Sequence, residues 1–263
     1  MELGPIGFGE ATKFLHDLLD ADKTYEATLC LGITTDTGDA EGQATAEQTV
    51  SCDDDAIADA CRAFQGDITQ VPPMYSALKR DGKPLYAYAR EGIVLEREAR
   101  PVTIHSMALT GIDRTEPLRP RVSLRTRVSK GTYIRTLAEA IGERLGCGAH
   151  LVALRRIAVG RLSIDRACTP EALEQIEPQA RIAMLGAVDM LLSGLPPVAL
   201  IDALADRFIQ GQRLVLDTVS RAPLANAPAG PVRVYRGDRL LGTALFAPPG
   251  LLAPQRVLAT HHD

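Results

Sequence analysis

Between Lys23 and Leu31 every second side chain is apolar. Tyr25, Ala27, Leu29 and Leu31 alternate with Glu26, Thr28 and Cys30, which is the pattern of a strand with one face buried and the other wet. Arg121–Ser129 repeats it through Val122, Leu124, Thr126 and Val128. Val102–Thr110 reads as a third strand, and Leu151–Val159 is apolar apart from Arg155 and Arg156. Helical periodicity lies between the strands. Residues 10–20 place Phe14, Leu15, Leu18 and Leu19 on one face. Asp53–Phe64 carries an acidic first turn that suits the helix dipole. Thr136–Leu145 stops at Gly146, and Thr169-Pro170 supplies an N-cap with proline at the first helical position. That last helix ends before Pro178, and another follows over Arg181–Leu192. The class is α+β.

Turn residues divide these elements. Thr34–Gly42 is a loop with Asp36, Gly38, Asp39 and Gly42; Val71-Pro72-Pro73 breaks regular structure; Lys79–Lys83 is a basic turn leading to a short helix ending near Arg90. Ser193-Gly194-Leu195-Pro196-Pro197 has linker character. Beyond it short strands predominate, over Val198–Ile201, Arg213–Asp217, Val232–Arg236, Arg239–Ala247 and Gln255–Thr260, with a hairpin turn at Arg236-Gly237-Asp238-Arg239 and an Ala/Pro-rich loop at 218–230. Two domains are expected, at 1–192 and 198–263.

The chain has 263 residues with 46% hydrophobic content, enough for one large core or two smaller ones. Tryptophan is absent and aromatics are 4%, so any core is built mainly of Leu, Val, Ile and Ala. The net charge of −4 gives no overall sign of nucleic-acid binding. Residues 121–160 nevertheless hold eight arginines and lysines against Glu139 and Glu143, a local charge of +6. The five cysteines form no C-x-x-C pair, which argues for reduced thiols in a cytoplasm and against zinc. No apolar run is long enough to span a bilayer, and Met1–Gly9 lacks the features of a signal peptide.

Three segments carry chemistry. Lys23-Thr24-Tyr25 opens a strand. Val128–Thr136 runs from a strand end through Gly131 into a helix whose N-terminus favours a nearby anion. Gly146-Cys147-Gly148-Ala149-His150-Leu151 leads to Leu154-Arg155-Arg156. Tyr133 and Arg135 share a face in an extended stretch, and a ring beside a guanidinium suits an everted base next to a carboxylate or phosphate. A tyrosine near an arginine is by itself commonplace packing.

Together the motifs say more. Gly9-Glu10-Ala11-Thr12-Lys13-Phe14, Lys23-Thr24-Tyr25, Val71-Pro72-Pro73-Met74-Tyr75-Ser76-Ala77-Leu78-Lys79, Gly82-Lys83-Pro84-Leu85-Tyr86, Ser129–Arg135 and Gly146–His150 occur in one order and spacing. In this the sequence resembles the bacterial TruB family of tRNA pseudouridine synthases over essentially its whole length, and the tail from Val198 resembles that family's PUA-like domain. The resemblance implies a pseudouridine synthase fold, with a central, mostly antiparallel sheet flanked by helices and loops. It implies a cytoplasmic, monomeric enzyme that isomerises one uridine in the T-arm loop of tRNA to pseudouridine, with no cofactor, metal or membrane. By motif, Tyr25 is the active-site tyrosine that stacks on the everted base, and Arg135 pairs with the catalytic aspartate. Tyr133 and Leu154 line the pocket. Lys23, Lys79, Lys83, Lys130, Arg155 and Arg156 are candidate substrate-binding residues, chiefly toward phosphate.

One departure bears on activity. The family's nucleophilic aspartate sits in a Leu-Asp-Pro motif just ahead of the Gly-Glu-Ala-Thr-Lys-Phe segment. Here only eight residues precede Gly9, and Glu2 is the one acid among them. Asp36 and Asp39 belong to a loop the family also has, so neither is expected to replace the nucleophile. The expectations are a front-truncated, inactive chain, with Arg135 lacking its carboxylate and reaching water, Glu2 or a solvent anion. The alternative reading is a non-catalytic tRNA-binding or RNA-chaperone-like protein.

Overall fold

In the computed structural model, residues 3–224 and 227–259 are described; Glu2, Thr260 and part of the 218–230 loop lie outside them. Two compact units emerge. One comprises residues 1–3 and 20–165, the other residues 4–19 and 166–263. Segments 4–19 and 166–192 therefore group with the tail, although the sequence places them with the front domain.

The second unit begins with a 3-10 helix, Gly9–Lys13, and one helical turn, α1 (Asp17–Asp20). A continuous helix over 10–20 is not formed. Ala11, Phe14 and Asp17 each donate to the carbonyl three residues back, giving the tighter spiral used in short pieces.

The first unit is built on a six-stranded antiparallel sheet. Its strands are β1 (Lys23–Leu31), β4 (Gly66–Gln70), β7 (Arg100–Asp113), β8 (Arg121–Val128), β9 (Ala149–Val159) and β10 (Leu162–Ser163), in the order β10-β9-β1-β8-β7-β4. Between them, β2 (Ile33–Thr35) and β3 (Ala44–Glu47) pair, and β5 (Lys79–Arg80) and β6 (Lys83–Pro84) form a small hairpin. Three helices complete the unit: α2 (Asp54–Arg62), α3 (Leu85–Arg90) and α4 (Ile134–Arg144). The alternation read in β1 is real. Ala27, Leu29 and Leu31 are buried, and they lie beside Leu124 and Val122 of β8. Each fully buried leucine contributes roughly 1.5–3 kcal/mol. Ile134, Leu137, Ala138 and Ile141 of α4 complete the same core. Gly142 lets the helix approach the start of β9, where a methyl group would meet the Ala149 amide nitrogen at 2.2 Å.

The rest of the second unit continues through α5 (Pro170–Glu174), capped by Thr169, and α6 (Pro178–Ala183). The helix expected over 181–192 is broken: α6 stops, and a 3-10 helix resumes at Val188–Leu192 beyond Gly186, a residue costing about 1 kcal/mol inside a helix. A five-stranded sheet follows, ordered β11 (Pro197–Ala199), β13 (Gly230–Arg236), β14 (Arg239–Ala247), β15 (Leu251–Val257) and β12 (Leu214–Val215). It packs against α7 (Asp202–Ile209), which the strand-rich reading of the tail missed, through Ala205 and Phe208. A short helix, α8 (Thr218–Arg221), lies where a loop was expected. No helix among the described residues is long and apolar enough to cross a membrane.

Candidate active site

The loop after β2 folds onto itself before it meets the sheet. Asp36 Oδ1 accepts from the Gln43 amide at 2.8 Å, and Asp39 Oδ1 accepts from Thr37 Oγ1 at 2.7 Å. The loop then docks on β9: the Leu151 amide donates to Gly38 O at 3.0 Å, and the Ala40 amide donates to Leu151 O at 2.9 Å. This brings Asp39 to the first turn of α4. Arg135 Nη1 lies 3.0 Å from Asp39 Oδ2, and the guanidinium also donates to the carbonyls of Thr37 and Tyr75.

Arg135 is therefore partnered. The expectation that it would be left to water, Glu2 or a solvent anion is corrected, because a carboxylate 96 residues away in sequence reaches it. Glu139, one helical turn on, lays its carboxyl against Gly38, where a Cβ would stand 3.0 Å away. Burial pushes the Glu139 carboxyl upward; Arg135 opposes this and Asp39 adds to it. One guanidinium thus faces two acids.

Gln70 fixes the turn that leads into α4. Its amide group accepts from the Tyr133 backbone at 3.0 Å and donates to Tyr133 O at 3.3 Å. Ser129 Oγ accepts from the Thr103 amide at 2.8 Å. Tyr133 is the N-cap residue of α4, so it and Arg135 sit at the same helix end. Gln70 was not singled out from the sequence, and Asp39 was weighed there only as a replacement nucleophile, not as the partner of Arg135. A buried glutamine beside a proline break carries no local signal of its partner.

Strand register places the other candidates. Tyr25 lies opposite Thr126 and Arg156, and Ala27 lies opposite Leu124 and Leu154. Directly opposed residues share a face, so Tyr25, Leu154 and Arg156 are on the sheet face that also carries Ala27 and the core, which Tyr25 packs against while Leu154 and Arg156 are not part of it. Leu154 is 44% exposed there. Arg156 Nε donates to Leu3 O at 2.7 Å, and Leu3 returns its amide to Arg156 O at 3.0 Å. Lys23 precedes Tyr25 by two and shares its face. Burial, then Arg156, lowers the Lys23 pKa; Asp20 and Asp22 oppose this, and Lys130 adds to it.

Arg155 lies opposite Glu26, on the reverse face. The eight-residue basic cluster is also less charged than it looks. Arg125 pairs with Glu26, Arg127 with Asp22 and Lys130 with Asp20, each at 2.7 Å. Lys83 pairs with Glu91 at 2.6 Å and stands 4.5 Å over the Tyr88 ring, whereas Lys79 is exposed.

Residues 3–134 match the TruB family pseudouridylate synthase N-terminal domain, and residues 135–192 match the tRNA pseudouridylate synthase B C-terminal domain. Residues 196–258 match the C-terminal domain of pseudouridine synthase II TruB. The chain is 55% identical over 257 residues to the tRNA pseudouridine synthase B of Burkholderia mallei, covering 97% of this chain and 83% of that one. The chain belongs to the TruB family of tRNA pseudouridine synthases. The corresponding protein of Cupriavidus metallidurans is 51% identical over 255 residues, covering 97% of this chain and 80% of that one. Among solved structures, a chain from a Cbf5–Nop10–Gar1 complex matches with a TM-score of 0.68 at 22% identity, over 96% of this chain and 71% of that chain. That likeness extends the pseudouridine synthase fold beyond close sequence relatives. In this member of the family Tyr25, Leu154 and Arg156 share one sheet face, and the Arg135–Asp39 pair stands at the head of α4.

Proposed function

We propose that the chain binds the T-arm stem-loop of tRNA, holds one everted uridine over the face of Tyr25, and presents it to the Arg135 end of α4. The observation that carries this reading is the register that sets Tyr25, Leu154 and Arg156 side by side. A phenol ring and an exposed leucine offer stacking and apolar contact to a base. Lys23 and Arg156 on the same face supply positive charge for the adjacent phosphates. Tyr133, at the N-terminus of α4, is the second ring of the pocket in this reading.

Isomerisation needs the uracil–C1′ bond to break, the base to turn, and C5 to bond to C1′ and then lose its proton. A nucleophilic or acid–base carboxylate drives the first step. Asp39 is engaged by Arg135 and Thr37, so it is not offered as that carboxylate. To Tyr25, Leu154, Lys23 and Arg156 we assign the binding of the tRNA and the holding of the everted uridine for that reaction. The test measures the affinity of the purified chain and of its Tyr25→Ala variant for an unmodified tRNA transcript. Binding weakened about tenfold or more in the variant is the expected result, since a base stacked on an aromatic ring is worth roughly 1–3 kcal/mol; equal affinities would overturn it.

Arg155 and Arg156 separate the two sheet faces. Arg156→Ala should weaken tRNA binding and reduce the magnitude of the salt slope by about 1. Arg155→Ala should leave both nearly unchanged. Equal effects from the two variants in a salt titration would place RNA on the wrong face for this reading.

A further inference from the structure

The start of α4 has no side-chain cap of its own. Tyr133, its N-cap residue, is extended, with φ −101° and ψ 114°, so its N–H and C=O open toward the same side. The helix uses only the carbonyl, which accepts from the Leu137 amide at 3.1 Å. Gln70 meets both groups at once. Its Oε1 accepts from the Tyr133 N–H at 3.0 Å, and its Nε2 donates to the Tyr133 carbonyl at 3.3 Å. This side chain is 6% exposed. Gln70 is also the last residue of β4, paired with Arg100 of β7, so the six-stranded sheet anchors it. The residue type is narrowly determined. A primary amide holds an acceptor and a donor in one plane. A glutamate would accept from the N–H but set a carboxylate against the carbonyl, and a methionine would leave both backbone groups unpaired.

We propose that Gln70 is a positioning residue for the uridine pocket: its buried amide clamps the Tyr133 backbone and so sets where the Tyr133 ring stands against the everted base. This rests on the reading of Tyr133 as the pocket's second ring. Gln70 itself touches no substrate; it acts through Tyr133. The Tyr133 hydroxyl has no hydrogen-bond partner among the described residues, so the backbone, not the polar end of the ring, fixes its place. Binding groups work when held within about 0.5 Å of the productive geometry, and a ring on the end of its Cβ bond magnifies any drift of the backbone behind it. The same segment reaches the guanidinium. Beyond Gln70 the chain runs through Pro72 and Pro73, which restrict its backbone, to Tyr75, whose carbonyl accepts from Arg135. One stiff stretch therefore holds the ring residue by its backbone and the arginine two residues on by its side chain.

A double-variant cycle tests this, with Gln70→Met and Tyr133→Ala made singly and together and affinity measured for an unmodified tRNA transcript. Tyr133→Ala removes the ring but keeps the N–H and C=O that Gln70 clamps. Alone it should weaken binding about tenfold, the worth of a lost base–aromatic stack. Gln70→Met alone should weaken binding about threefold to tenfold. Added to Tyr133→Ala, Gln70→Met should cost less than about twofold, because no ring is left to misplace. Added to Tyr133→Phe, which keeps a ring, it should cost its full amount. Urea unfolding is measured alongside, and there Gln70→Met should lower stability in every background, since the same backbone groups are stranded in each. A merely structural Gln70 would weaken binding equally with and without the ring, and that result overturns the proposal. So does Gln70→Met binding like the parent while Tyr133→Ala binds weakly. If Tyr133→Ala itself binds like the parent, the pocket reading of Tyr133 fails and the positioning role falls with it. Should Gln70→Met not fold, Gln70→Glu takes its place in the cycle, since it matches the size and keeps the bond from the Tyr133 N–H.

Discussion

Asp39→Ala should lower the unfolding free energy by about 2 kcal/mol. Removing one partner of a fully buried ion pair costs roughly 3–5 kcal/mol, because the other charge is stranded. Here the Arg135 and Asp39 side chains keep 24% and 23% exposure, so water recovers part of that loss. The carbonyls of Thr37 and Tyr75 still accept from the guanidinium. Asp39 also loses its bond from Thr37 Oγ1, which loosens the loop itself. Urea unfolding of Asp39→Ala, Arg135→Ala and the double variant measures the coupling directly. A coupling energy of about 1–2 kcal/mol is expected. Additive single effects would mean that the pair contributes no more than an exposed salt bridge, and that Arg135 is held by its carbonyl partners alone. Asp39→Asn keeps the acceptor and removes the charge, so it should fall between the parent and the alanine variant.

Gly142→Ala should cost more, about 3 kcal/mol, at the upper end of what overpacking usually does. The added methyl would meet the Ala149 amide nitrogen at 2.2 Å and the Gly148 carbonyl carbon at 2.3 Å. Both are backbone atoms, so no rotamer change relieves the clash. The helix and the start of β9 must part, and the contact between α4 and β9 is what holds Arg135 next to the Asp39 loop. Gly146→Ala is the matched control. Nothing lies within 4 Å of its missing Cβ, but its φ is +74°, so its cost is the left-handed backbone alone, about 1–2 kcal/mol. Thermal unfolding of the two variants separates steric from dihedral strain. If Gly146→Ala proves the more damaging, the close packing of α4 on β9 is not what limits this corner of the core.

Much of this architecture could be read before folding was considered. The alternation in Lys23–Leu31 marks β1 and its buried face, since side-chain direction follows from local geometry with a period of two. The acidic start at Asp53 marks α2, where its carboxylate accepts from the Ala56 amide at 2.8 Å. Thr169 marks α5 for the same reason. Gly146 ends α4 with a positive φ, and the motifs around Tyr25 and Arg135 led to the family. Short helices were less legible. Residues 10–20 and 181–192 have helical spacing, yet each breaks into smaller pieces, because periodicity records which face is apolar but not which hydrogen-bond pattern wins in a short segment.

The sequence by itself determined the long strands β1, β7, β8 and β9, the caps, the glycine turns and the family, all of which rest on neighbours within a few residues, whereas the short strands β2 to β6 and β10 went unread. The tertiary structure alone decided who meets whom. It gave Arg135 to Asp39. It turned Arg156 toward Tyr25 and Arg155 away, and it neutralised half of the basic cluster with acids from distant segments. Such pairings depend on strand order and register, which are fixed by burying the whole sheet face at once and leave no trace at either partner's own position.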